Sequence, residues 1–300
     1  MNSTKTLALI DGDELVYKAG FASQTTVYHV LKDENEVGVF PNKHDAIEFI
    51  GNDEGYDIQS EIVVAEEDIA LMSLRAVYNT IMSDVNTTDF RIYLSGENNF
   101  RRDVATIAEY KGNRDESSKP VYLPLLKEVL KDRYGAIVVD GIEADDALSI
   151  TQWHHYTNKT NWGTIIVTQD KDLDMVPGVH YNPSKRESTV ISPKDARLSF
   201  YSQLLSGDNV DNIPGIYRIA KKTAMKKLAP LIDHSNNRLI NFVIEEYEKA
   251  YQNPKISKKM DWSKLGKDRI TELGQLLWML QFKDQIWSPD ENYYRCVGLE

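Results

Sequence analysis

The stretch from residue 136 to residue 146 reads AIVVDGIEADD. Its first four residues, Ala136–Val139, are apolar and mostly β-branched, which predicts a buried strand. Four of the seven residues that follow are acidic. In an open parallel sheet, ligands bind beyond the carboxyl ends of the strands. A strand that ends in a group of carboxylates therefore indicates a ligand-binding edge.

The same pattern recurs on both sides of this stretch. Leu7–Ile10 runs into Asp11, and Thr164–Val167 is followed by Asp170 and Asp172. Such strands, alternating with helical stretches, predict an α/β fold with a central, mainly parallel sheet and flanking helices. The other predicted core elements are the strand Ile92–Leu94 and the helices Asp68–Met82, Val121–Tyr134, Ala144–His155 and Leu239–Tyr251.

An acidic insertion, at about residues 26–68, separates the first two core strands. Its pattern predicts a hairpin followed by a helix near Asp45–Ile50. The segment Lys32–Asp68 holds two lysines and twelve acids, a net charge of −10. After about Pro183 the strand signal fades. We therefore predict an α/β domain over residues 1–185 and a helical part over residues 186–300.

Composition excludes several classes of protein. The 300 residues carry a net charge of −11 and one cysteine, Cys296, which rules out an internal disulfide framework. No apolar run approaches the ~18 residues of a membrane span. The N-terminus lacks the pattern of a signal peptide, so we expect a cytoplasmic protein. Taken alone, the acidity argues against a nucleic-acid partner.

Carboxylates that gather at one sheet edge repel one another unless cations neutralise them. Oxygen ligands without His or Cys favour Mg²⁺ or Mn²⁺. Glu143 and Asp146 share a face at a predicted helix start, and Gly207–Asn212 adds a further acidic group. The candidate metal ligands are Asp11, Glu143, Asp145, Asp146, Asp170, Asp172, Asp208 and Asp211.

Two phosphoryl-transfer chemistries fit such a cluster, since a pair of metals about 4 Å apart can activate water and stabilise a leaving oxygen. One is a phosphatase with Asp11 as nucleophile, because residues 10–13 resemble the haloacid-dehalogenase family. The other is a phosphodiesterase that acts on nucleic acid. Arg101, Arg102 and the Tyr110-Lys111 pair favour the second, since Tyr can stack on a base while cations hold phosphates.

At these positions the sequence resembles the 5′-nuclease family: flap endonucleases, bacteriophage 5′→3′ exonucleases and the 5′-nuclease domain of DNA polymerase I. Five motifs occur in the family's order and span about residues 11–224, and the length suggests the short phage type. The motifs are Phe100-Arg101, Tyr110–Arg114, Ile142–Asp146, Thr168–Asp172 and Gly207–Gly215.

The resemblance implies a PIN-like nuclease domain that hydrolyses DNA phosphodiesters at or near a 5′ end, with two Mg²⁺ ions for which Mn²⁺ can substitute. The products would carry 5′-phosphates, and exonuclease and flap endonuclease preferences stay open, as does an RNA–DNA hybrid substrate. Lys111, with Arg101 or Arg102, would stabilise charge on the scissile phosphate. Tyr110 and Arg114 would bind DNA. A helical arch is expected over about residues 101–133.

The resemblance also implies a helix–hairpin–helix-like element that grips duplex DNA in the C-terminal part. It covers Ile213–Ala224, within a stretch rich in Lys and Arg, and Lys221 and Lys222 are its candidate phosphate contacts. The predicted ligands and the acidic insertion together carry more negative charge than the whole chain. The rest is therefore net positive, which removes the objection to nucleic acid. The insertion could exclude DNA or dock a basic replication partner.

Two departures from the family bear on this reading. The family has an Asp soon after its second strand, whereas here Ser95-Gly96-Glu97 follows, so Glu97 or a water on Ser95 would substitute. The family's Gly-Ile-Gly turn is Arg218-Ile219-Ala220 here, and Ala is unfavourable where a positive φ is needed. The missing Asp leaves a non-catalytic binder of DNA structures as a third alternative.

Overall fold

The computed structural model describes residues 5–114, 119–158 and 162–295. The strands are β1 (Lys5–Asp11), β2 (Gln24–Lys32), β3 (Asn35–Phe40), β4 (Tyr56–Val64), β5 (Asp89–Asn99), β6 (Ile137–Gly141), β7 (Trp162–Val167), β8 (Gly178–Asn182), β9 (Glu187–Ile191), β10 (Gly207–Asp208) and β11 (Ile213–Pro214). The helices are α1 (Gly12–Phe21), α2 (Lys43–Ile50), α3 (Glu67–Val85), α4 (Arg101–Val104), α5 (Leu123–Tyr134), α6 (Ala144–Asn158), α7 (Pro193–Ser206), α8 (Lys221–Leu228), α9 (Asn236–Gln252), α10 (Pro254–Ser257) and α11 (Gly266–Leu277).

Strand β1 lies inside a six-stranded sheet of order β6-β5-β1-β7-β8-β9. Neighbouring strands are parallel except for β8 and β9, which are antiparallel. The predicted α/β fold with a mainly parallel sheet is therefore confirmed. Leu9 and Ile10 on β1 have no exposed surface, as expected for a strand with neighbours on both sides. The sequence pattern missed β8 and β9, where apolar and polar residues mix.

The described residues form two compact units. The first comprises those within Met1–Gly12, Ile81–Asp115 and Gly135–Glu300, and it contains the six-stranded sheet. The predicted boundary between residues 185 and 186 lies inside this unit. One apolar core runs through it, from Leu9 and Ile166 on the sheet to Leu204 and Leu273 on the C-terminal helices. The helical part thus shares its core with the sheet and does not form one of its own.

The second unit comprises Asp13–Thr80 and the described residues within Glu116–Tyr134. It holds the acidic insertion as a three-stranded antiparallel sheet of order β3-β2-β4, with α2 after β3. The predicted hairpin and helix are confirmed. Strand β4 was not predicted, because most of its residues are exposed and no buried face imposes an apolar–polar alternation.

Within the described residues, none of the helices has both the length and the apolar character needed to cross a bilayer.

Candidate functional site

Adjacent strands bring the first acidic residues together. Asp11 is the last residue of β1, and Ile10 on β1 pairs with Val167 at the end of β7. Asp170 follows β7 after two residues, so both carboxylates lie beyond the carboxyl edge of neighbouring parallel strands. Asp11 is buried, with 8% of its surface exposed. The strand-end pattern in the sequence therefore predicted the placement of this pair.

Later elements add three more carboxylates to this edge. Asp145 lies in the first turn of α6, and Asp172 begins the short 3-10 helix Asp172–Met175. Asp208 ends β10 and accepts hydrogen bonds through Oδ1 from the backbone N–H of Val210 at 2.6 Å and Asp211 at 3.2 Å. We call Asp11, Asp145, Asp170, Asp172 and Asp208 the carboxylate cluster.

These carboxylates repel one another, which raises the pKa values of three of them. Burial and the charges of Asp11 and Asp170 raise the pKa of Asp145 well above its ordinary value. Burial and the charges of Asp170 and Asp208 raise the pKa of Asp172 to about 8. Desolvation and the charge of Asp211 raise the pKa of Asp170, although the Asp172 backbone N–H, 2.8 Å from Oδ1, opposes this. The cluster therefore stores electrostatic repulsion.

A divalent cation fits the chemistry of this donor set. The donors are hard carboxylate oxygens, and a bound cation would remove the repulsion that raises their pKa values. Asp145 Oδ1 is buried and makes no hydrogen bond, which leaves an oxygen available to a cation. However, no group of three or more His, Cys, Asp or Glu side chains in the described ranges is already arranged to hold a metal ion. Binding would thus require the cluster side chains to move closer together.

The chain's own cations hold the carboxylates beside the cluster. Lys111 Nζ donates to Glu143 Oε1 and lies 3.5 Å from Asp211 Oδ2. The Tyr110 hydroxyl lies 2.8 Å from both Glu143 Oε2 and Asp211 Oδ2, and Arg114 donates to Asp211 Oδ1 at 2.6 Å. Burial would raise the pKa of Glu143, but the charges of Lys111 and Arg101 outweigh it and lower that pKa.

Backbone contacts fix the turn that carries Lys111. Lys111 has a positive φ of 57°. Its N–H donates to the carbonyl of Asp211 at 2.9 Å. The Asn113 side chain donates to the carbonyl of Asn209 at 2.7 Å, and the Asn212 side chain donates to that of Glu109 at 2.9 Å. The Tyr110–Arg114 and Gly207–Gly215 motifs, distant in sequence, are thus joined in one structure.

Arg101 and Asp146 form a buried ion pair away from solvent. Neither side chain has exposed surface, and Arg101 donates to both Asp146 oxygens, at 2.6 and 2.9 Å. Asp146 also accepts the Glu143 N–H at 3.2 Å. The prediction that Arg101 contacts a phosphate is therefore corrected, because a fully buried guanidinium cannot reach DNA in this conformation. Arg102 is exposed and is the member of the pair that can. Asp146, predicted as a metal ligand, serves here as the partner of Arg101.

Tyr110 also differs from its prediction. It is 5% exposed, and its hydroxyl binds two carboxylates, so its ring presents no open face on which a base could stack. Burial and the Glu143 carboxylate raise its pKa well above the ordinary range, which keeps the phenol protonated as a donor. Among the described residues of the predicted arch, at about 101–133, the α-helices are α4 and α5. Residues 105–114 lie in loop and turn, and residues 115–118 are outside the described part of the chain.

The predicted duplex-binding element, Ile213–Ala224, holds strand β11 and the first residues of α8. Helix α7 leads into β10 and β11, and α8 follows. A Cβ on Gly215 would lie within 2.3 Å of the backbone of Ser206 and Gly207, so this close approach requires glycine. Lys222 is exposed and Lys221 is half-buried in the first turn of α8. The N-cap residue of α8, Ala220, makes no side-chain capping bond, so backbone N–H groups there can bind an anion.

Sequence reasoning missed two features of this unit. A cleft of about 490 Å³ beside the duplex-binding turn is lined by Tyr217, Arg218 and Lys259, among others. The Lys258-Lys259 pair was the sequence feature that could have indicated this cleft, but it lies beyond the last motif of the family. The second feature is Glu272 on α11, which is buried and accepts hydrogen bonds from Thr106. No local sequence pattern identifies that contact, because the two residues are far apart in the chain.

Comparisons with known proteins agree with the motifs. No protein-family model matches the sequence. The chain is 25% identical over 241 residues to DNA polymerase I of Bacillus caldotenax, covering 75% of this chain and 23% of the polymerase. It is 26% identical over 180 residues to a 5′-3′ exonuclease of Buchnera aphidicola, covering 55% of this chain and 61% of that protein. The chain thus spans about three fifths of that exonuclease and under a quarter of the polymerase.

A solved structure shares the fold. The T5 5′-exonuclease with zinc bound superposes with a TM-score of 0.51 at 16% identity, covering 91% of this chain and 86% of that one. The fold, the relatives and the ordered motifs agree. The chain is therefore similar to the 5′-nuclease family in its motifs, its relatives and its fold.

One departure from the 5′-nuclease pattern is the absence of an Asp after the second core strand. In the structure, that strand is β5, and it continues through Ser95 and Glu97 to Asn99. Ser95 Oγ accepts the backbone N–H of Ala144 at 2.9 Å, at the start of α6. Glu97 is exposed on the strand. Ser95 therefore supports the helix that carries Asp145.

The second departure from the family falls on a different residue than expected. Ala220 has a φ of −76°, which any residue adopts. The left-handed conformation belongs to Arg218, with a φ of 64°. Ala220 thus avoids the positive φ that would be unfavourable for it, and Arg218 adopts the left-handed conformation in this turn. Arg218 is exposed, so its side chain can reach a ligand at the mouth of the cleft.

Proposed function

We propose that the chain is a metal-dependent 5′→3′ exonuclease with flap endonuclease activity, hydrolysing DNA phosphodiesters to give 5′-phosphate products. The observation that carries the proposal is the carboxylate cluster, whose raised pKa values indicate a need for bound cations. Similarity to a 5′-3′ exonuclease and to DNA polymerase I supports the choice of this reaction over the phosphatase alternative. The proposed role is in phage DNA replication or degradation.

The proposed cofactor is Mg²⁺, in a two-ion site where Mn²⁺ can substitute. Asp11, Asp145, Asp170, Asp172 and Asp208 would hold the ions, and Glu143 and Asp211 would complete the set on the side of Lys111. Asp146 is left out because Arg101 holds both of its oxygens. Bound ions would supply an activated water and stabilise the leaving oxygen.

The chain's own residues would bind and orient the DNA. Lys111 supplies an ammonium group beside the cluster, where it can stabilise negative charge that develops on the scissile phosphate. Its contact with Glu143 must open for this. Arg102 and Arg114 present further cations at this surface, since Arg102 is exposed and the Arg114 side chain is 49% exposed. Lys221, Lys222 and the N-terminus of α8 would hold duplex phosphates.

The proposed substrates are DNA with 5′ ends or flaps, and RNA in RNA–DNA hybrids is an alternative. The acidic sheet of the second unit would dock a basic replication protein. A net charge of −10 over Lys32–Asp68 makes that sheet a poor surface for DNA and a complementary one for a basic partner.

One assay tests the proposal. The protein is incubated with Mg²⁺ and 5′-labelled duplex, flap and single-stranded DNA, beside a small phosphomonoester. We expect cleavage of flap and duplex DNA from the 5′ side, lost on chelation and in Asp145→Asn. Phosphate release from the small ester with intact DNA would favour the phosphatase. Flap binding without cleavage in Mg²⁺ or Mn²⁺ would favour a non-catalytic binder.

A further inference from the structure

Glu272 on α11 makes an unusual set of contacts for a residue outside every family motif. It is 3% exposed. Its Oε1 accepts the consecutive backbone N–H groups of Thr106 and Ile107, at 2.7 and 2.8 Å. Its Oε2 accepts the Thr106 hydroxyl at 2.6 Å and also pairs with Lys264. One carboxylate thus holds two neighbouring amides of another segment.

The residues that Glu272 holds lead directly to Lys111. Thr106 and Ile107 lie in irregular backbone between α4 and the turn that carries Lys111. Backbone N–H groups outside helices and strands need partners elsewhere, and a carboxylate makes stronger hydrogen bonds than a neutral acceptor. Burial would raise the pKa of Glu272, but hydrogen bonds from Lys264 and Thr106 outweigh it and lower that pKa. The acceptor is therefore ionised at neutral pH.

Helix α11 also holds the start of the same segment. Arg101 donates through Nε to the carbonyl of Leu276 at 2.8 Å, and through a terminal nitrogen to that of Trp278 at 2.7 Å. The segment from Arg101 to Ile107 is therefore fastened to α11 at both ends. Beyond it, the Lys111 turn is fastened to Asp211 on its other side. Two supports, one inside the family motifs and one outside them, fix where the Lys111 ammonium lies.

We propose that Glu272 is a positioning residue for Lys111, acting from the C-terminal helix through the Thr106–Ile107 amides. The inference rests on the proposed function, in which Lys111 stabilises charge on the scissile phosphate. A Gln at this position would hold the two amides more weakly and would place an NH2 donor against Lys264 and the Thr106 hydroxyl, which lets the Lys111 turn shift. A displacement of about 1 Å in a catalytic group can cost a hundredfold in rate, so a partial release should cost about tenfold.

The test is a double-mutant cycle between Glu272→Gln and Lys111→Ala, read as kcat at saturating flap DNA. We expect Lys111→Ala alone to lower kcat by at least about a hundredfold. We expect Glu272→Gln to lower kcat about tenfold with KM nearly unchanged, and by less than about twofold when Lys111 is already Ala. Thr106→Val removes only the hydroxyl contact with Glu272, and it should lower kcat in the same direction by a smaller factor.

The matched control is Asp84→Asn. Asp84 accepts hydrogen bonds from Tyr181 and Arg186 and contacts no residue of the Lys111 segment among those bonds. Its kcat should stay unchanged even if stability falls. Equal losses from Glu272→Gln in both Lys111 backgrounds, or no loss from Glu272→Gln and Thr106→Val, would overturn the proposal. If Lys111→Ala itself keeps full kcat, the failure lies with the catalytic assignment of Lys111. A Glu272→Gln variant that does not fold leaves Thr106→Val to decide.

Discussion

The two sides of the acidic site differ in what balances their charge. On one side, Glu143, Asp146 and Asp211 lie against Lys111, Arg101 and Arg114 of the same chain. On the other side, Asp145, Asp170 and Asp172 lie chiefly against other carboxylates, and their pKa values are raised. The chain thus neutralises one side by itself and leaves repulsion on the other side, where we propose that a cation binds.

Two adjacent residues of one motif, Asp145 and Asp146, lie on different sides of the site. Asp145 and Asp146 are neighbours on α6, yet Asp145 faces the cluster and Asp146 is bound to Arg101. A helix turns each residue by about 100°, so adjacent carboxylates point in different directions. The function of an acidic pair in a motif therefore cannot be assigned as a unit.

The largest expected effect is a loss of stability when the buried Arg101–Asp146 ion pair, on the neutralised side, is broken. Arg101→Ala leaves Asp146 buried and unpaired, so the free energy of unfolding should fall by about 3–5 kcal/mol. Arg102→Ala removes an exposed cation and should change it by less than about 0.5 kcal/mol. Urea unfolding of both variants measures this. Equal stabilities would contradict the structural role of Arg101, and cleavage assays of Arg102→Ala test its proposed DNA contact.

The next effect concerns the repulsive side. A carboxyl whose folded pKa is raised from 3.8 to about 8 destabilises the fold as pH rises through that interval, and the penalty is absent below it. Asp172→Asn should therefore stabilise the metal-free protein at pH 8, by roughly 1–2 kcal/mol or a few degrees in Tm. At pH 4 the variant and the parent should melt alike. A lower Tm for the variant at pH 8 would show that Asp172 is not under repulsion.

A smaller effect is expected on the salt dependence of DNA binding. The lysines of the duplex-binding element should contact phosphates, and their removal should not affect the carboxylate cluster. Replacing Lys221 and Lys222 by Ala should reduce the slope of log K against log salt by about one to two units. Fluorescence anisotropy with duplex DNA at several salt concentrations measures this. An unchanged slope would exclude the proposed backbone contacts, and unaltered metal binding is the control.

The smallest expected effect concerns the pKa of a histidine in the second unit. There, His29 lies between two glutamates and partly balances their charge. The His29 ring nitrogens lie 2.6 Å from Glu36 and 2.9 Å from Glu61, on the two neighbouring strands. These hydrogen bonds, that of Glu36 first, raise the pKa of His29 above 6.5. The hydrogen bonds stabilise the fold fully at pH values below the pKa of His29 in the unfolded chain. This stabilisation is lost as the pH rises through the pKa of His29 in the folded protein. An NMR titration should show the raised pKa, and Glu36→Gln should lower it.

The sequence was most informative where chemistry follows directly from chain position. Acids directly after apolar runs predicted carboxylates at one sheet edge, and Asp11 and Asp170 follow the neighbouring parallel strands β1 and β7 there. The helices over residues 68–82 and 239–251 were confirmed because long amphipathic periods depend little on their surroundings. The sequence also predicted the hairpin before α2 from its alternating pattern.

Burial and long-range pairing were not accessible from the sequence. Two adjacent arginines look alike in a motif, yet Arg101 is fully buried and Arg102 is exposed, because only the fold places the carbonyls of α11 beside Arg101. Tyr110 was expected to stack on a base, whereas its hydroxyl joins Glu143 and Asp211. Strand β4 escaped detection because exposure on both faces removes the usual alternation.

Equilibrium binding of Mn²⁺ tests most directly whether the repulsive side is a cation site. Titrations followed by calorimetry would compare the parent protein with Asp145→Asn, Asp172→Asn and the control Asp84→Asn. We expect saturable binding in the parent and the control, with affinity at least about tenfold weaker in each cluster variant. Binding of equal strength in all four proteins, or no saturable binding in the parent, would contradict the assignment of the carboxylate cluster as the metal site.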